Sequence, residues 1–393
     1  IDWIKATDSK ARALSVSMKD RGAILPVGKS KEEIYWYPGD GEFTTSRYYA
    51  DSLPAWVRKF NDRLMPQSYA GKSWTPLLAD SAYKERDSVS IEGGGNDFVF
   101  PHVLPNDPDQ AASLVRGTPF MDEITVALAL DGVSALNLGR GPSTDLLAVS
   151  LSATDLVSHR LGPESKEVHD QVLRDDRVIG VFLDSLFKMR DQSKIVVVLS
   201  ADHGFTPIPE LAPASANPHP TRASLAPALA AARKRLADAH MDTLAIDLDQ
   251  QIVLMDRSKL QGGAVSAESI IETFEKTART LPGIRRIDRF ANLARDTATD
   301  PIARRWSHQF PTGTNVELVA TLTPGSLWGN FLVASHGSPY DYDSNVPVIF
   351  YGPGIPASRR SEFVRTVDIA PTLAQLLGVK PLEKLDGAPL SIK

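Results

Sequence analysis

With 393 residues, 42% of them apolar, the chain is long enough for one large domain carrying an insertion or for two ordinary domains. Its 43 basic and 48 acidic side chains leave a formal charge of -5 and form no basic block, which argues against nucleic acid as a partner. There is no cysteine, so disulfides, thiolate metal sites and cysteine nucleophiles are excluded, and any metal must sit on His, Asp or Glu.

The chain opens without an initiator Met or a signal peptide, on what reads as the tail of an amphipathic helix with Trp3 and Ile4 on one face. A fold that begins in mid-helix predicts a missing upstream segment. The apolar run Ala13–Met18 reads as a buried strand. Residues 27–120 are rich in Pro, Gly and aromatics, with a glycine cluster at Gly93–Gly95, and read as a loop-rich insertion over the active site. A second strand is expected at Leu146–Leu151. Pro163 then introduces a helix over Glu164–Arg190, in which Val168, Val172, Ile179, Leu183 and Leu186 recur at helical spacing. Ile195–Leu199 is the third apolar run and completes a βαβ unit of parallel strands. It is also the longest compact apolar run, and it is strand-sized, so no membrane span is expected.

Residues 205–330 depart from this rhythm through a Pro/Ala-rich passage. Leu244–Met255 and Val316–Leu322 look like strands there, and Glu268–Leu281 like a helix. The core pattern resumes near His336 with a weaker strand, Val346–Phe350, which contains Pro347. A last helix is expected from about Pro371 to Leu377, capped by Asp368 and ended by Gly378. The expected architecture is an α/β fold whose mostly parallel central sheet is flanked by helices. Its core would be residues 1–204 and 331–393, and residues 205–330 a small inserted α/β cap.

In such sheets ligands bind beyond the carboxyl ends of the strands. Asp155 and His159 follow the strand at 146–151, and Asp202 and His203 follow the one at 195–199. Ser335-His336-Gly337 lies in a Gly/Ser loop able to fold over the same edge. Two carboxylates and three imidazoles without thiols suit Zn²⁺ or a similar divalent ion. Asp155, His159 and His336 make a three-ligand site with an open fourth position, whereas Asp202 and His203 give a second metal only two ligands. A two-metal hydrolase also needs a nucleophile on that second metal, and none stands out. Lys19 and Arg21 follow the first strand. In extended backbone they point the same way and suit the nonbridging oxygens of a phosphoryl group. His102, His169, His219, His240 and His308 read as ordinary surface or core residues.

The segments Leu151–His159, Leu199–Phe205 and Ser335–Asp343 resemble the alkaline phosphatase superfamily. The resemblance is to the branch holding type I phosphodiesterases/nucleotide pyrophosphatases and the monomeric, phosphate-irrepressible alkaline phosphatases. It extends through Tyr35-Trp36-Tyr37, Thr44–Tyr49, Leu53–Asn61, Trp74–Leu77 and Thr118-Pro119-Phe120. The Lys19-Asp20-Arg21 motif is similar to that of the phosphomonoesterase members. The resemblance implies two Zn²⁺ ions, one on Asp155, His159 and His336 and one on Asp202 and His203, with Lys19 and Arg21 on the phosphoryl oxygens. It further implies hydrolysis of small phosphate monoesters through a covalent phosphothreonine by a monomeric, periplasmic or secreted enzyme. The family's third Asp ligand, threonine nucleophile and substrate-contacting Asn all fall upstream of Ile1; Thr44 and Thr45 lie in a segment resembling a non-catalytic part. Two other readings stay open: a phosphodiesterase or nucleotide pyrophosphatase, and a catalytically dead metal- or phosphate-binding chain.

Overall fold

The computed structural model describes residues 1–295, 297–311, 313–329 and 332–392. They form two compact units: residues 1–158, 164–201 and 347–393 make the first, and residues 159–163 and 202–346 the second.

The first unit is built on a parallel sheet. Strand β1 (Ala13–Ser17) is buried at all five positions and is followed by the short helix α1 (Asp20–Ile24). Parallel strands flank it, β2 (Glu33–Trp36) on one side and β3 (Leu146–Ser150) on the other, in the order β2-β1-β3. The apolar helix α2 (Phe120–Ala135) covers β1: Met121, Ile124 and Leu128 join Leu14, Val16 and Met18 in one core cluster. Each such fully buried side chain contributes about 1.5–3 kcal/mol of transfer free energy. Beyond β3 the chain runs through helix α3 (Ala153–Leu161), helix α4 (Lys166–Met189) and strand β4 (Val197–Ser200). The Ser165 hydroxyl caps α4 by accepting from the Val168 N–H.

Several expectations are corrected here. The third apolar run forms β4, yet β4 pairs antiparallel with Val348–Tyr351 in a two-stranded sheet and not with the parallel strands. Pro347 directly precedes that last strand, where its missing N–H costs no ladder bond. The expected apolar stripe of α4 is only partly used: of its five residues Leu186 is buried, Val168, Ile179 and Leu183 are half-buried, and Val172 is exposed. The last helix runs Ile369–Leu377 and ends at Gly378 in the left-handed region, φ 66°. Asp368 does not cap it through its side chain. That carboxylate instead accepts from the backbone N–H groups of Arg365 and Ala388. Residues 27–120 hold β2 and the helices Ala55–Asn61 and Pro108–Leu114 among loops and short turns, and they send Tyr35, Phe43 and Phe60 into the core.

The second unit carries an antiparallel sheet in the order 284–289, 316–322, 252–255, 246–249. Helices Ala226–Asp238 and Ala267–Ala278 bury Leu236, Ile270 and Phe274 in its main core cluster. The single strand expected over Leu244–Met255 is a hairpin: Gln250 adopts φ 51°, and Ile246–Asp249 folds back on Ile252–Met255. The unit begins before residue 205 and extends past 330, because backbone bonds tie its two ends together. Thr206 N–H donates to the Ser335 carbonyl, and Gly204 N–H to that of Asp343. Among the described residues, no helix is long and apolar enough to cross a membrane.

Candidate metal centre

Asp155 and His159 lie on α3, not in a loop after β3, and their i, i+4 spacing places both on one face of the helix. A polar brace holds the start of α3. The Asp122 carboxyl accepts from the Ala153 N–H at 3.3 Å, and the Thr154 hydroxyl donates to Asp175 at 2.6 Å. The Gln171 amide donates to both acids at 3.0 Å. Burial, followed by the neighbouring Asp175 charge, pushes Asp122 well above the usual carboxylate range.

In the second unit, three imidazoles gather around Phe205. The His203 and His336 rings stack with centroids 3.4 Å apart, and His159 lies 5.0 Å from His336. The Phe205 ring is 4.9, 5.1 and 5.7 Å from His159, His336 and His203, respectively. Within the second unit, the ligand atoms of His159 and His336, two of the three residues expected to share one metal, come within 4.8 Å of each other.

The tautomers suit this role. His159 Nδ1 lies 2.9 Å from the Ala334 carbonyl, and His203 Nδ1 lies 2.9 Å from that of Gly204. A carbonyl can only accept, so each Nδ1 carries a proton and donates it there. Imidazoles held in this way suit a zinc-type divalent ion. Asp202 is 87% exposed; its carboxylate accepts from the His203 N–H at 3.1 Å and lies 3.4 Å from His203 Nε2.

Lys19 and Arg21 are not the parallel pair that extended backbone predicts. Lys19 ends the extended stretch at φ -100°, ψ 139°, and α1 begins at Asp20, so Arg21 turns away on a helix. The Lys19 ammonium forms an ion pair with Asp155. Arg21 is 70% exposed, with the Asp20 carboxylate 3.9 Å from its guanidinium. Thr44 and Thr45 have structural roles: Thr44 bridges to the Trp36 backbone, and the Thr45 hydroxyl donates to the Ile34 carbonyl at 2.6 Å.

The family model for type I phosphodiesterases / nucleotide pyrophosphatases matches residues 29–251. The chain belongs to that family. Within the type I phosphodiesterase / nucleotide pyrophosphatase family it is similar to alkaline phosphatase PafA of Elizabethkingia meningoseptica, 27% identical over 98% of this chain and 72% of the relative. Alkaline phosphatase PhoV of Synechococcus elongatus is likewise 27% identical, over 95% of this chain and 69% of the relative. The crystal structure of wild-type PafA superposes on the whole chain with a TM-score of 0.88 at 27% identity, covering 77% of that structure. The fold is thus alkaline phosphatase-like, and the chain is an alkaline phosphatase-like hydrolase of this superfamily.

Sequence reasoning overlooked Phe205, the brace behind α3 and the buried carboxylate of Asp343. Phe205 follows Asp202-His203-Gly204 directly, and that adjacency was its one available signal.

Proposed function

We propose that the chain is a zinc-dependent phosphomonoesterase. Asp155, His159 and His336 would hold one ion, and Asp202 and His203 would contribute to a second. The observation that carries this reading is the gathering of His159, His203 and His336 around Phe205, together with the Lys19 ammonium on the Asp155 carboxylate. Two bound zinc ions would supply Lewis acidity for a nucleophilic hydroxyl and for the leaving oxygen.

The protein's own groups then divide the remaining work. One Lys19 N–H is committed to Asp155, which leaves two for a phosphoryl oxygen. The Arg21 fork is free to turn from solvent onto two nonbridging oxygens, a bidentate match for a dianionic monoester. A diester has one such oxygen esterified and less charge, so it gains less from this cation pair. The reading includes a covalent phosphothreonine, for which Thr45 is not the nucleophile, since its hydroxyl is already committed to the Ile34 carbonyl. It also includes a monomer exported to the periplasm or beyond, as in the family this chain resembles.

A phosphodiesterase is the second reading, favoured by the description of the family that matches residues 29–251. Kinetics on an aryl phosphate and an aryl methyl phosphodiester separate the two. The zinc-loaded protein is expected to have the higher kcat/KM on the monoester, and Lys19→Ala and Arg21→Ala should depress that activity far more than the diesterase activity. Equal losses on both substrates would sink the monoesterase assignment.

A further inference from the structure

His203 and His336 are 133 positions apart, and each sits on a short loop of the second unit. For two rings to stack with centroids 3.4 Å apart, the loops themselves must be locked. Phe205 packs against both rings, and polar bonds add a second constraint. These bonds converge on Asp343.

This residue is 3% exposed. One carboxylate oxygen, Oδ2, accepts from both loops: from the Ser338 N–H at 2.7 Å, two residues after His336, and from the Thr206 hydroxyl at 3.1 Å, three residues after His203. The Asp343 carbonyl also accepts from the Gly204 N–H at 2.6 Å, next to His203. Phe205 N–H to the Tyr342 carbonyl and Thr206 N–H to the Ser335 carbonyl extend the same seam. Thr206 is itself 1% exposed, so its hydroxyl has no water to fall back on.

We propose that Asp343 is a positioning residue of the metal centre, clamping the His203 and His336 loops together through its single shared oxygen. This rests on the reading of His203 and His336 as metal ligands. The other oxygen, Oδ1, is buried and makes no hydrogen bond among the described residues. The clamp therefore needs one acceptor oxygen and not a full carboxylate, which makes asparagine a discriminating replacement. The asparagine side chain keeps an acceptor for Ser338 and Thr206 and places its amide NH₂ where Oδ1 stood. Alanine removes the acceptor and leaves the buried Thr206 hydroxyl and the half-buried Ser338 N–H without it.

The test is cobalt binding to the metal-stripped protein, followed by the visible d–d spectrum and competition with a chelator. Asp343→Ala is expected to weaken cobalt binding about 10–100-fold and to alter the spectrum, as loss of groups that orient ligands does. Asp343→Asn is expected to restore affinity and spectrum close to wild type. A wild-type affinity and spectrum in Asp343→Ala, or an Asp343→Asn as weak as Asp343→Ala, would overturn the clamp. Should Asp343→Ala fail to fold, Thr206→Val removes one donor only; weakened cobalt binding supports the clamp, and unchanged binding overturns it. Wild-type protein that binds no cobalt would instead remove the metal reading on which the clamp rests.

Discussion

At Gly204 a single added carbon would stand 2.0 Å from the Tyr342 carbonyl oxygen and 3.1 Å from its carbonyl carbon. Both atoms are backbone, so the chain itself would have to move, and the residue that would move with it is His203. Gly204→Ala is therefore expected to cost about 1–3 kcal/mol or more in stability, as overpacking does. It should also lower metal uptake, measured by titrating the stripped protein. Uptake and thermal midpoint both at wild-type values would contradict the close approach. Lys19 carries an opposite expectation. Because its ammonium occupies the Asp155 carboxylate, Lys19→Ala removes a competitor for that ligand. Metal affinity should hold or rise while monoesterase activity falls, and a parallel loss of both would place Lys19 among the groups that build the site. These contrasts mark what was legible at this scale. Asp202-His203-Gly204 and Asp155…His159 stand out because their members are neighbours in sequence. Asp343 and Thr206 meet across 137 positions, and no local pattern encodes such a pair. The direction of Arg21 was misjudged because α1 begins one residue earlier, at Asp20, and turns its side chain off the strand axis.

At the scale of elements, strands and helices with a clear period were legible. β1, α4 and the helix at Ile369–Leu377 all fall within a few residues of where the pattern puts them. Pairing partners were not legible, since an apolar run such as Ile195–Leu199 suits a parallel or an antiparallel neighbour equally. Nor was the means by which residues 74–104 are held. They are stapled to the first turns of α4 by polar contacts: Trp74 Nε1 and the Leu77 N–H donate to Asp170 at 2.6 Å, and Lys166 binds Asp80 at 2.6 Å. His102 joins Asp97 and Glu167 at 3.0 and 2.8 Å. Burial pulls the His102 imidazole toward neutrality, but the bonds to Glu167 and Asp97 outweigh it and hold its pKa above the ordinary value. Burial, then the charges of Glu167 and Asp87, pushes the Glu92 carboxyl up to about 8, with Arg86 opposing. The signs agree. A raised histidine contributes stability below its unfolded pKa and loses it as pH rises through the folded one. A raised carboxyl is penalised increasingly from its unfolded pKa up to its folded one. The staple should therefore loosen on the alkaline side. Hydrogen exchange across residues 79–104 is expected to speed up beyond the intrinsic pH effect between about pH 6 and pH 9. Glu92→Gln, which cannot ionise, should melt above wild type at about pH 9 and with it at about pH 5. A constant gap at both values would mean that Glu92 does not carry the effect.

At the scale of the whole molecule, the division into two units was legible only as an excursion from the core rhythm. Its edges were drawn too narrowly because the bonds that set them, Gly204 to Asp343 and Thr206 to Ser335, join distant parts of the chain. The second unit holds four of the five candidate ligands, His159, Asp202, His203 and His336, while Asp155 belongs to the first, the boundary cutting α3. Metal binding should therefore act mainly as a stabiliser of the second unit. A ligand that binds only the folded state adds about 2.7 kcal/mol when free metal stands at 100 times its Kd. Zinc is thus expected to raise the unfolding midpoint in a concentration-dependent way, and a chelator to lower it. In hydrogen exchange, protection gained on zinc addition should concentrate in residues 202–206 and 335–343. The β1–β3 sheet of the first unit should change little, because its core of Leu14, Val16 and Ile124 is apolar and contains no ligand. Equal protection in both units would show that the metal acts through the fold as a whole, and no protection at 202–206 would remove His203 from the ligand set.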